Sequence, residues 1–258
     1  MNTVARQLSR TLCVFLLTAF ACIQTAGAQS DALSLEDVVS LKRVSDVRLS
    51  PDDDQIAYLL SVPRLLYEDD DGRAYRELHI VGFDGVSRPY VTGEIEISSI
   101  AWSVTGESLY FLAQRDPEAK FNSLFEISTA GGEAVEKFTH VNSISSIYPA
   151  PDGKRIAFLA ADAPPERKEE LELKGFKAVV YEESVPETRV WILDLDTSEA
   201  RTQDLPGSAS ALNWAPDGAS YAVALAPTPL IDDSYTSRDI FIVVSDSSKV
   251  LSKIGSVG

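Results

Sequence analysis

This chain has few residues that could serve as the base of a serine nucleophile. It contains two histidines, His79 and His140, and 39 Asp and Glu residues. A serine nucleophile needs a histidine within hydrogen-bond reach and a third group that orients the imidazole. No Gly-x-Ser-x-Gly motif occurs in the 258 residues, and the spacing pairs neither histidine with a serine. We therefore expect both histidines to be structural or solvated, and we assign no catalytic residue.

The acidic residues include three short runs. Glu68-Asp69-Asp70-Asp71-Gly72 supplies the oxygen atoms that calcium prefers, but it lacks the alternating spacing and the distal Glu of an EF-hand loop. The pairs Glu169-Glu170 and Glu182-Glu183 carry the charge needed to hold a peptide ammonium group, although their flanking residues match no motif for that role. We expect all three runs to be surface residues, and we predict neither a metal nor a cofactor.

Four aromatic residues are candidates for ligand contact. Trp102 and Trp214 occupy the same position in two copies of a repeat, just before a turn. Recurrence at a fixed repeat position favours packing between repeats over a ligand platform. Tyr181 and Tyr235 fall in or near predicted loops, where they could line the mouth of a channel.

The first 28 residues have the pattern of an export signal. Two arginines precede an apolar run, Leu12–Ile23, and Ala26-Gly27-Ala28 has the Ala-x-Ala form of a cleavage site. We predict a signal peptide over residues 1–28, cleaved between Ala28 and Gln29, and a periplasmic or secreted protein. Because a membrane-spanning helix needs about 20 apolar residues, we expect no stable membrane span after cleavage.

The positions of the cysteines and the net charge exclude further kinds of site and partner. Both cysteines, Cys13 and Cys22, lie in the leader, so the exported chain would have no disulfide and no thiolate site. Cys22 also suggests a lipoprotein, but Ala19-Phe20-Ala21 before it is a poor lipobox. The chain has a net charge of −16, and loss of the basic leader would make it more negative. Such a surface repels phosphate backbones, so we expect no nucleic-acid partner.

Four copies of one hairpin pattern organise the rest of the chain. They begin at Val47, Ile100, Ile147 and Leu212. An apolar strand runs into a turn of the form Ser/Ala-Pro-Asp-Gly, where Pro fixes φ and Gly accepts a positive φ. In the second copy Val104-Thr105 replaces Pro-Asp. Asp53 stands at one Gly position and tolerates the same left-handed conformation. Repeats of about 40–50 residues made of short strands are typical of propeller blades.

Each hairpin is followed by two further strands, which gives four antiparallel strands per repeat. The sequence therefore predicts an all-β fold, a β-propeller segment of about four four-stranded blades. The predicted blades of this partial propeller, 47–258, are approximately 47–95, 96–141, 142–207 and 208–258. Within the amino-terminal segment 29–46, a capping box at Ser34–Asp37 predicts a short helix over Leu35–Arg43.

Insertions interrupt two of the repeats. Both lie between the second and third strands, at 62–75 and 161–187, and the longer one contains a predicted charged helix over Glu166–Lys174. The fourth strands are predicted to end near Val91, Phe138, Leu205 and Ile254.

These segments resemble the propeller of bacterial dipeptidyl/acylaminoacyl-peptidases of the prolyl oligopeptidase (S9) family. The resemblance covers about residues 33–250. It rests on the opening and on the third-repeat insertion, with the runs Leu33–Asp37, Leu41–Asp46, Leu49-Ser50-Pro51-Asp52, Pro164-Pro165-Glu166, Gly175-Phe176 and Val190–Leu195. The Ser-Pro-Asp-Gly hairpin by itself also occurs in Tol-Pal-type propellers.

The resemblance implies a function that this chain would share with a longer protein. In that family a propeller of seven or eight blades caps a carboxy-terminal α/β-hydrolase domain and admits only short, unstructured peptides. It implies that this chain is the non-catalytic propeller part of such a protein and is inactive alone. It also implies that the chain stops at Gly258, before the hydrolase domain. Peptide substrates would be its partners through that domain. The alternative is a free-standing periplasmic propeller that binds a protein partner, as in Tol-Pal-type systems. A third hypothesis is an enzyme with polar residues at the centre of the propeller.

Overall fold

The computed structural model describes residues 33–257 except 117, 164–165, 177, 179–181 and 183–184. The signal peptide predicted at 1–28, its cleavage between Ala28 and Gln29, and both cysteines lie outside the described residues. The chain divides after Val39 into a short amino-terminal unit and a larger unit that contains every strand of the described part.

The amino-terminal unit contains helix α1, Leu35–Val39. The predicted capping box is present: the Asp37 N–H donates to Ser34 Oγ over 3.0 Å, and the Ser34 N–H donates to Asp37 Oδ2 over 2.9 Å. The helix ends four residues earlier than predicted. β-Branched Val38 and Val39 lower its helix propensity, and Arg43 already pairs with Ser61 in a sheet.

The larger unit contains four separate four-stranded antiparallel sheets, each ordered as the strands follow in the chain. Sheet 1 comprises β1 (Arg43–Leu49), β2 (Gln55–Val62), β3 (Tyr75–Gly82) and β4 (Ser87–Val91). Sheet 2 comprises β5 (Ile97–Trp102), β6 (Ser108–Ala113), β7 (Ser123–Ser128) and β8 (Val135–Thr139). Sheet 3 comprises β9 (Ile144–Pro149), β10 (Arg155–Ala161), β11 (Thr188–Asp194) and β12 (Ala200–Thr202). Sheet 4 comprises β13 (Ser208–Trp214), β14 (Ser220–Ala226), β15 (Arg238–Val244) and β16 (Val250–Val257).

The predicted turn chemistry is confirmed. Gly106, Gly153 and Gly218 have positive φ values of 73°, 68° and 66°, and Asp53, at the fourth equivalent position, has φ of 61°. The left-handed conformation is therefore a property of the repeat position, which Gly occupies without strain and Asp tolerates. One strand is shorter than predicted: β12 ends at Thr202, because the chain turns where the Leu205 N–H bonds the Gln203 carbonyl.

Two further helices lie in connections between second and third strands. Helix α2, Glu166–Leu173, confirms the charged helix predicted in the long insertion of sheet 3. Helix α3, Ile231–Thr236, joins β14 to β15 and was not expected from the sequence. No helix in the described part of the chain is long and apolar enough to cross a membrane.

The core consists of three apolar layers between successive sheets. Strands expose alternate residues to opposite faces, so each sheet can bury one face against each neighbour. The sheet 1–sheet 2 layer includes Leu59 and Phe111, the sheet 2–sheet 3 layer Leu112 and Phe158, and the sheet 3–sheet 4 layer Tyr221. The first strands β1, β5, β9 and β13, called the inner strands below, lie beside one another. This stacking is the arrangement of propeller blades.

Candidate functional site

The inner strands form a groove at the end of the sheets where the hairpin turns lie. Its volume is about 620 Å³, and all four sheets contribute to its lining. Its walls include Arg48, Pro51, Trp102, Val104, Tyr148, Pro149, Pro151, Asn213 and Trp214. We call this the channel groove. It exists because each inner strand ends at the same turn, so equivalent residues of four repeats meet there.

Two indole rings fix the walls of the channel groove. Trp102 Nε1 donates to the carbonyl of Arg48 in sheet 1 over 2.9 Å, and Trp214 Nε1 donates to the carbonyl of Tyr148 in sheet 3, also over 2.9 Å. Each tryptophan thus ties its own inner strand to the preceding one. The predicted role of Trp102 and Trp214 in packing between repeats is confirmed, and their edges also line the groove.

The walls of the groove are largely apolar and are bordered by strand edges. Pro51, Pro149 and Pro151 present rigid apolar surface without N–H donors, and Val104 adds a further exposed apolar side chain. Each inner strand pairs with a single neighbour in its sheet, so one row of its backbone N–H and C=O groups has no strand partner in the described sheets. Unpaired strand edges bind extended peptides by main-chain hydrogen bonds.

Few polar side chains face the channel groove. The Arg48 guanidinium lies 3.0 Å from the Asp46 carboxylate, and Asn213 is exposed on the opposite wall. Asp46 lies at a bulge in β1, and β5, β9 and β13 have bulges near the same position. Bulges leave residues unpaired with the neighbouring strand, and the bulged residues of these four strands lie outside the groove lining.

A smaller cavity of about 300 Å³ opens between sheets 2 and 3, where Pro149 stands at the repeat position of Trp102 and Trp214. Its polar wall includes Glu126, whose carboxylate accepts a hydrogen bond from Ser108 Oγ over 2.7 Å and pairs with Lys137 at 3.2 Å. Burial and the nearby Glu126 charge raise the pKa of Tyr110 to about 12. Because Glu126 already has these partners, the channel groove is the better candidate for ligand binding.

The two histidines lie apart from any serine-based site. His79 is in β3, stacks on Tyr58 at 5.5 Å between ring centroids, and lies 3.1 Å from Glu77 through Nε2. His140 follows β8 and is buried against Trp191, with ring centroids 4.6 Å apart. Burial lowers the pKa of His140, while its backbone hydrogen bond with Asn142 acts in the opposite direction. The expectation that both are structural agrees with these contacts.

The other residues considered from the sequence are dispersed. The run Glu68–Gly72 lies in the β2–β3 connection, where Asp69 Oδ2 accepts the Leu65 N–H. Glu170 is exposed on α2, Glu182 is exposed in the same insertion, and Tyr235 is exposed on α3. Tyr181, Glu183 and the side chain of Glu169 lie outside the described residues. Of the described residues, no group of three or more His, Cys, Asp or Glu is arranged to hold a metal ion.

Sequence reasoning missed most of the channel groove. Tyr148 and Asn213 occupy the same position in their repeats. Pro149 occupies the next position, which is taken by Trp102 and Trp214 in two other repeats. The signal was present in the alignment of the repeats, since any residue equivalent to a groove residue is also at the groove. Chemistry alone would not have found it, because prolines and an asparagine are not distinctive.

Comparisons with known proteins identify the fold class of the chain. No protein-family profile and no curated protein matches the chain. Solved structures with a similar fold include the acylaminoacyl peptidase of Pyrococcus horikoshii, at TM-score 0.61 and 15% identity over 85% of this chain and 34% of that one. A puromycin hydrolase matches at TM-score 0.55 and 18% identity, over 84% of this chain and 28% of that one. A TolB protein of Agrobacterium tumefaciens matches at TM-score 0.52 and 13% identity, over 81% and 65%.

These likenesses establish the fold class predicted from the sequence. The chain spans about a third of the length of the acylaminoacyl peptidase. The similarity to propellers of S9-type peptidases, and to TolB propellers, is confirmed in the arrangement of the sheets. Sequence identities of 13–18% show a shared fold only, so the activity has to be argued from the candidate site.

Proposed function

We propose that this chain is the non-catalytic propeller portion of a secreted serine peptidase of the S9 type, which admits and binds short peptides for an α/β-hydrolase domain. The observation that carries the proposal is the match to acylaminoacyl peptidase, which covers 85% of this chain and 34% of that protein. The remainder of such a protein has room for the catalytic domain.

The channel groove supplies the binding step. A groove of about 620 Å³ is within the usual range for sites that hold small ligands, and it is far too small for a folded domain. Its proline and tryptophan walls bind apolar side chains, and the free edges of the inner strands bind the peptide backbone. A peptide must be short and unstructured to make both kinds of contact, which selects the substrate class.

The same proposal assigns no chemistry to this chain. The 258 residues contain no Gly-x-Ser-x-Gly motif. His79 bonds Glu77, and His140 is buried among aromatic rings. The nucleophile and its base would belong to the hydrolase domain, and purified chain should not hydrolyse peptide substrates. A periplasmic or secreted location would follow from the leader over residues 1–28.

A second candidate is a free-standing periplasmic propeller that binds a protein partner. The match to the A. tumefaciens TolB protein, which covers 65% of that chain, favours it, as does the match to a TolB of Acinetobacter baumannii. In this case the channel groove would receive an extended segment of another protein rather than a substrate. The physical recognition is the same, and only the partner differs.

Reading the coding DNA past the Gly258 codon separates the two candidates. An open frame that continues through further blades to a Gly-x-Ser-x-Gly motif, followed by Asp and His, supports the peptidase. A stop codon with no hydrolase sequence beyond it contradicts the peptidase and leaves the binding propeller. Mass spectrometry of the exported protein tests the location that both candidates share, because the leader predicts an amino terminus at Gln29.

A further inference from the structure

The smaller cavity between sheets 2 and 3, called the side cavity below, adjoins the channel groove. Ser103, Val104 and Pro149 belong to the lining of both. The volume of the side cavity, about 300 Å³, is at the lower end of the range for ligand sites, which suits a single side chain better than a whole ligand. A peptide in the channel groove could therefore place one side chain in the side cavity.

The side cavity exists because two large side chains of the next junction have small equivalents here. Between sheets 3 and 4, the Arg155 guanidinium lies over the Trp214 ring, 5.3 Å from its centroid. Between sheets 2 and 3, Ser108 stands at the repeat position of Arg155, and Pro149 stands at that of Trp214. The side cavity is thus the space that a guanidinium and an indole fill in the next junction.

The surroundings of that guanidinium also have equivalents in the side cavity. Arg155 donates to the Gly218 carbonyl over 2.8 Å and pairs with the Asp152 carboxylate at 2.7 Å. The residues at the same repeat positions one junction earlier are Gly153 and Thr105, and both line the side cavity. The molecule therefore shows, in its own next junction, that a space of this kind accommodates a guanidinium group.

Sheet 2 carries a polar pair in the wall of the side cavity. Tyr110 and Glu126 are cross-strand partners, and Tyr110 belongs to the layer between sheets 2 and 3. The equivalent pairs in the other described sheets are Ala57 with Ile80, Ala157 with Ile192, and Ala222 with Ile242. Sheet 2 thus places a hydroxyl and a carboxylate where the other three sheets have apolar side chains.

The charges around the side cavity favour a cation. Among the described residues of its lining, Glu107 and Glu126 are acidic, and Arg155 is the one basic residue. The Arg155 guanidinium is engaged in the next junction, where it also lies 3.1 Å from Asp246. Glu126 pairs with Lys137 at 3.2 Å, but a carboxylate has about four acceptor sites and can bind a further donor. Its side chain is 28% exposed, so its charge is screened less than that of a fully solvated group.

We propose that the side cavity binds the guanidinium group of an arginine in the peptide that lies in the channel groove. The inference rests on the proposed peptide binding and adds a residue preference to it. The arginine stem would pass between Val104 and Pro149, and the guanidinium would donate to Glu126. A planar guanidinium can bond a carboxylate and a turn carbonyl together, as Arg155 does in the next junction, whereas a lysine ammonium is a point charge.

Three capped pentapeptides that differ only at the central residue test the proposal. One carries arginine, one carries citrulline, which has nearly the same shape without the charge, and one carries norleucine. Titrations of the full chain, followed by tryptophan fluorescence, should show that the arginine peptide binds about 10-fold or more tightly than the citrulline peptide, because its hydrogen bond to Glu126 is charged. Equal binding of these two peptides would overturn the inference, while binding of the norleucine peptide would still support the channel groove. Binding of none of the three would overturn both the inference and the proposed function.

Two variants should change the arginine preference in opposite directions. Glu126→Gln keeps the shape of the side chain and removes its charge, so it should bind the arginine and citrulline peptides equally. Lys137→Met removes the cation that competes for Glu126 and should tighten binding of the arginine peptide about 2- to 5-fold. Glu133→Gln, exposed in the β7–β8 connection, is the matched control with the same loss of charge and should keep the preference.

The norleucine peptide also controls for folding of the variants. Its affinity should be the same for Glu126→Gln as for the wild-type chain, because it makes no charged contact in the side cavity. An arginine preference that survives in Glu126→Gln, or that is lost equally in Glu133→Gln, would overturn the proposal.

Discussion

Trp214 in β13 donates its indole N–H to the backbone carbonyl of Tyr148 in β9, over 2.9 Å. The bond joins the inner strands of sheets 3 and 4 at the wall of the channel groove. It also satisfies a carbonyl on a strand edge that has no neighbouring strand in its sheet. The groove is therefore held open by the same contact that binds two blades together.

Loss of that bond should destabilise the fold. Trp214→Phe keeps most of the ring but leaves the Tyr148 carbonyl without its donor, which should lower the free energy of unfolding by about 1–3 kcal/mol. Trp191→Phe is the matched control, because the buried Trp191 Nε1 has no hydrogen-bond partner among the described residues. Urea denaturation of both variants measures the difference. Equal losses would mean that the bond contributes nothing beyond ring packing.

Arg155 should be the most sensitive charged residue at the junction of sheets 3 and 4. Its guanidinium donates to the Gly218 carbonyl over 2.8 Å and to Ser245 Oγ over 3.0 Å, and it pairs with Asp246 at 3.1 Å. Arg155→Lys cannot make these bonds together, and we expect unfolding to become easier by about 1–3 kcal/mol.

Arg88→Lys is the control for Arg155→Lys. The Arg88–Asp84 pair is exposed on both sides, and such pairs contribute little to stability. Thermal melting should show a clear shift for the first variant and almost none for the second. Similar shifts would contradict the importance assigned to the Arg155 contacts.

Gly207 is a position where only glycine fits. Its φ is +77°, and a Cβ there would lie 2.1 Å from the Ala226 carbonyl oxygen. Gly207→Ala should therefore cost about 2 kcal/mol or more, from backbone strain and from the clash together. Gly153→Ala, at φ +68° with open space around the added Cβ, should cost only the strain of about 1 kcal/mol. Chemical denaturation ranks the two variants, and the reverse order would be inconsistent with the structure.

His140 should make stability depend on pH. Burial lowers its pKa, and its ring neighbours Phe138, Phe158 and Trp191 carry no titratable group. The unfolded chain therefore binds a proton that the folded chain resists, so the stability is fully present above the unfolded pKa of about 6.5 and is lost as pH falls below it. His140→Leu should weaken this dependence. The urea midpoints of the wild-type chain and of His140→Leu should be measured above and below that pH. An equal loss of stability in both proteins at the lower pH would contradict the account.

The sheets could be predicted from the sequence because each repeat is marked by short-range signals, namely an apolar strand followed by a turn. The turn of sheet 1 was recognised although Asp53 replaces glycine, since both residues adopt a positive φ there. Strand β4 ends at Val91, where its end was predicted. Short apolar strands between recognisable turns leave little freedom for another fold.

Long-range geometry could not be predicted in the same way. The bonds of Trp214 to Tyr148 and of Arg155 to Gly218 join residues more than 60 positions apart, and no local pattern specifies them. The end of α1 was misplaced because strand pairing of Arg43 with Ser61 overrides helix propensity. The channel groove is a property of four sheets together, so it becomes visible only when the repeats are assembled.

The central claim is that the channel groove binds short, unstructured peptides, and peptide titration tests it most directly. Trp102 and Trp214 line the groove, so a capped apolar pentapeptide should change the intrinsic fluorescence of the chain on binding. Val104→Asp places a charge in the apolar wall and should weaken binding about 10-fold or more, whereas Val141→Asp, exposed in a connection outside the groove, should leave it unchanged. Failure of the wild-type chain to bind any such peptide, or equal loss in both variants, would contradict the account.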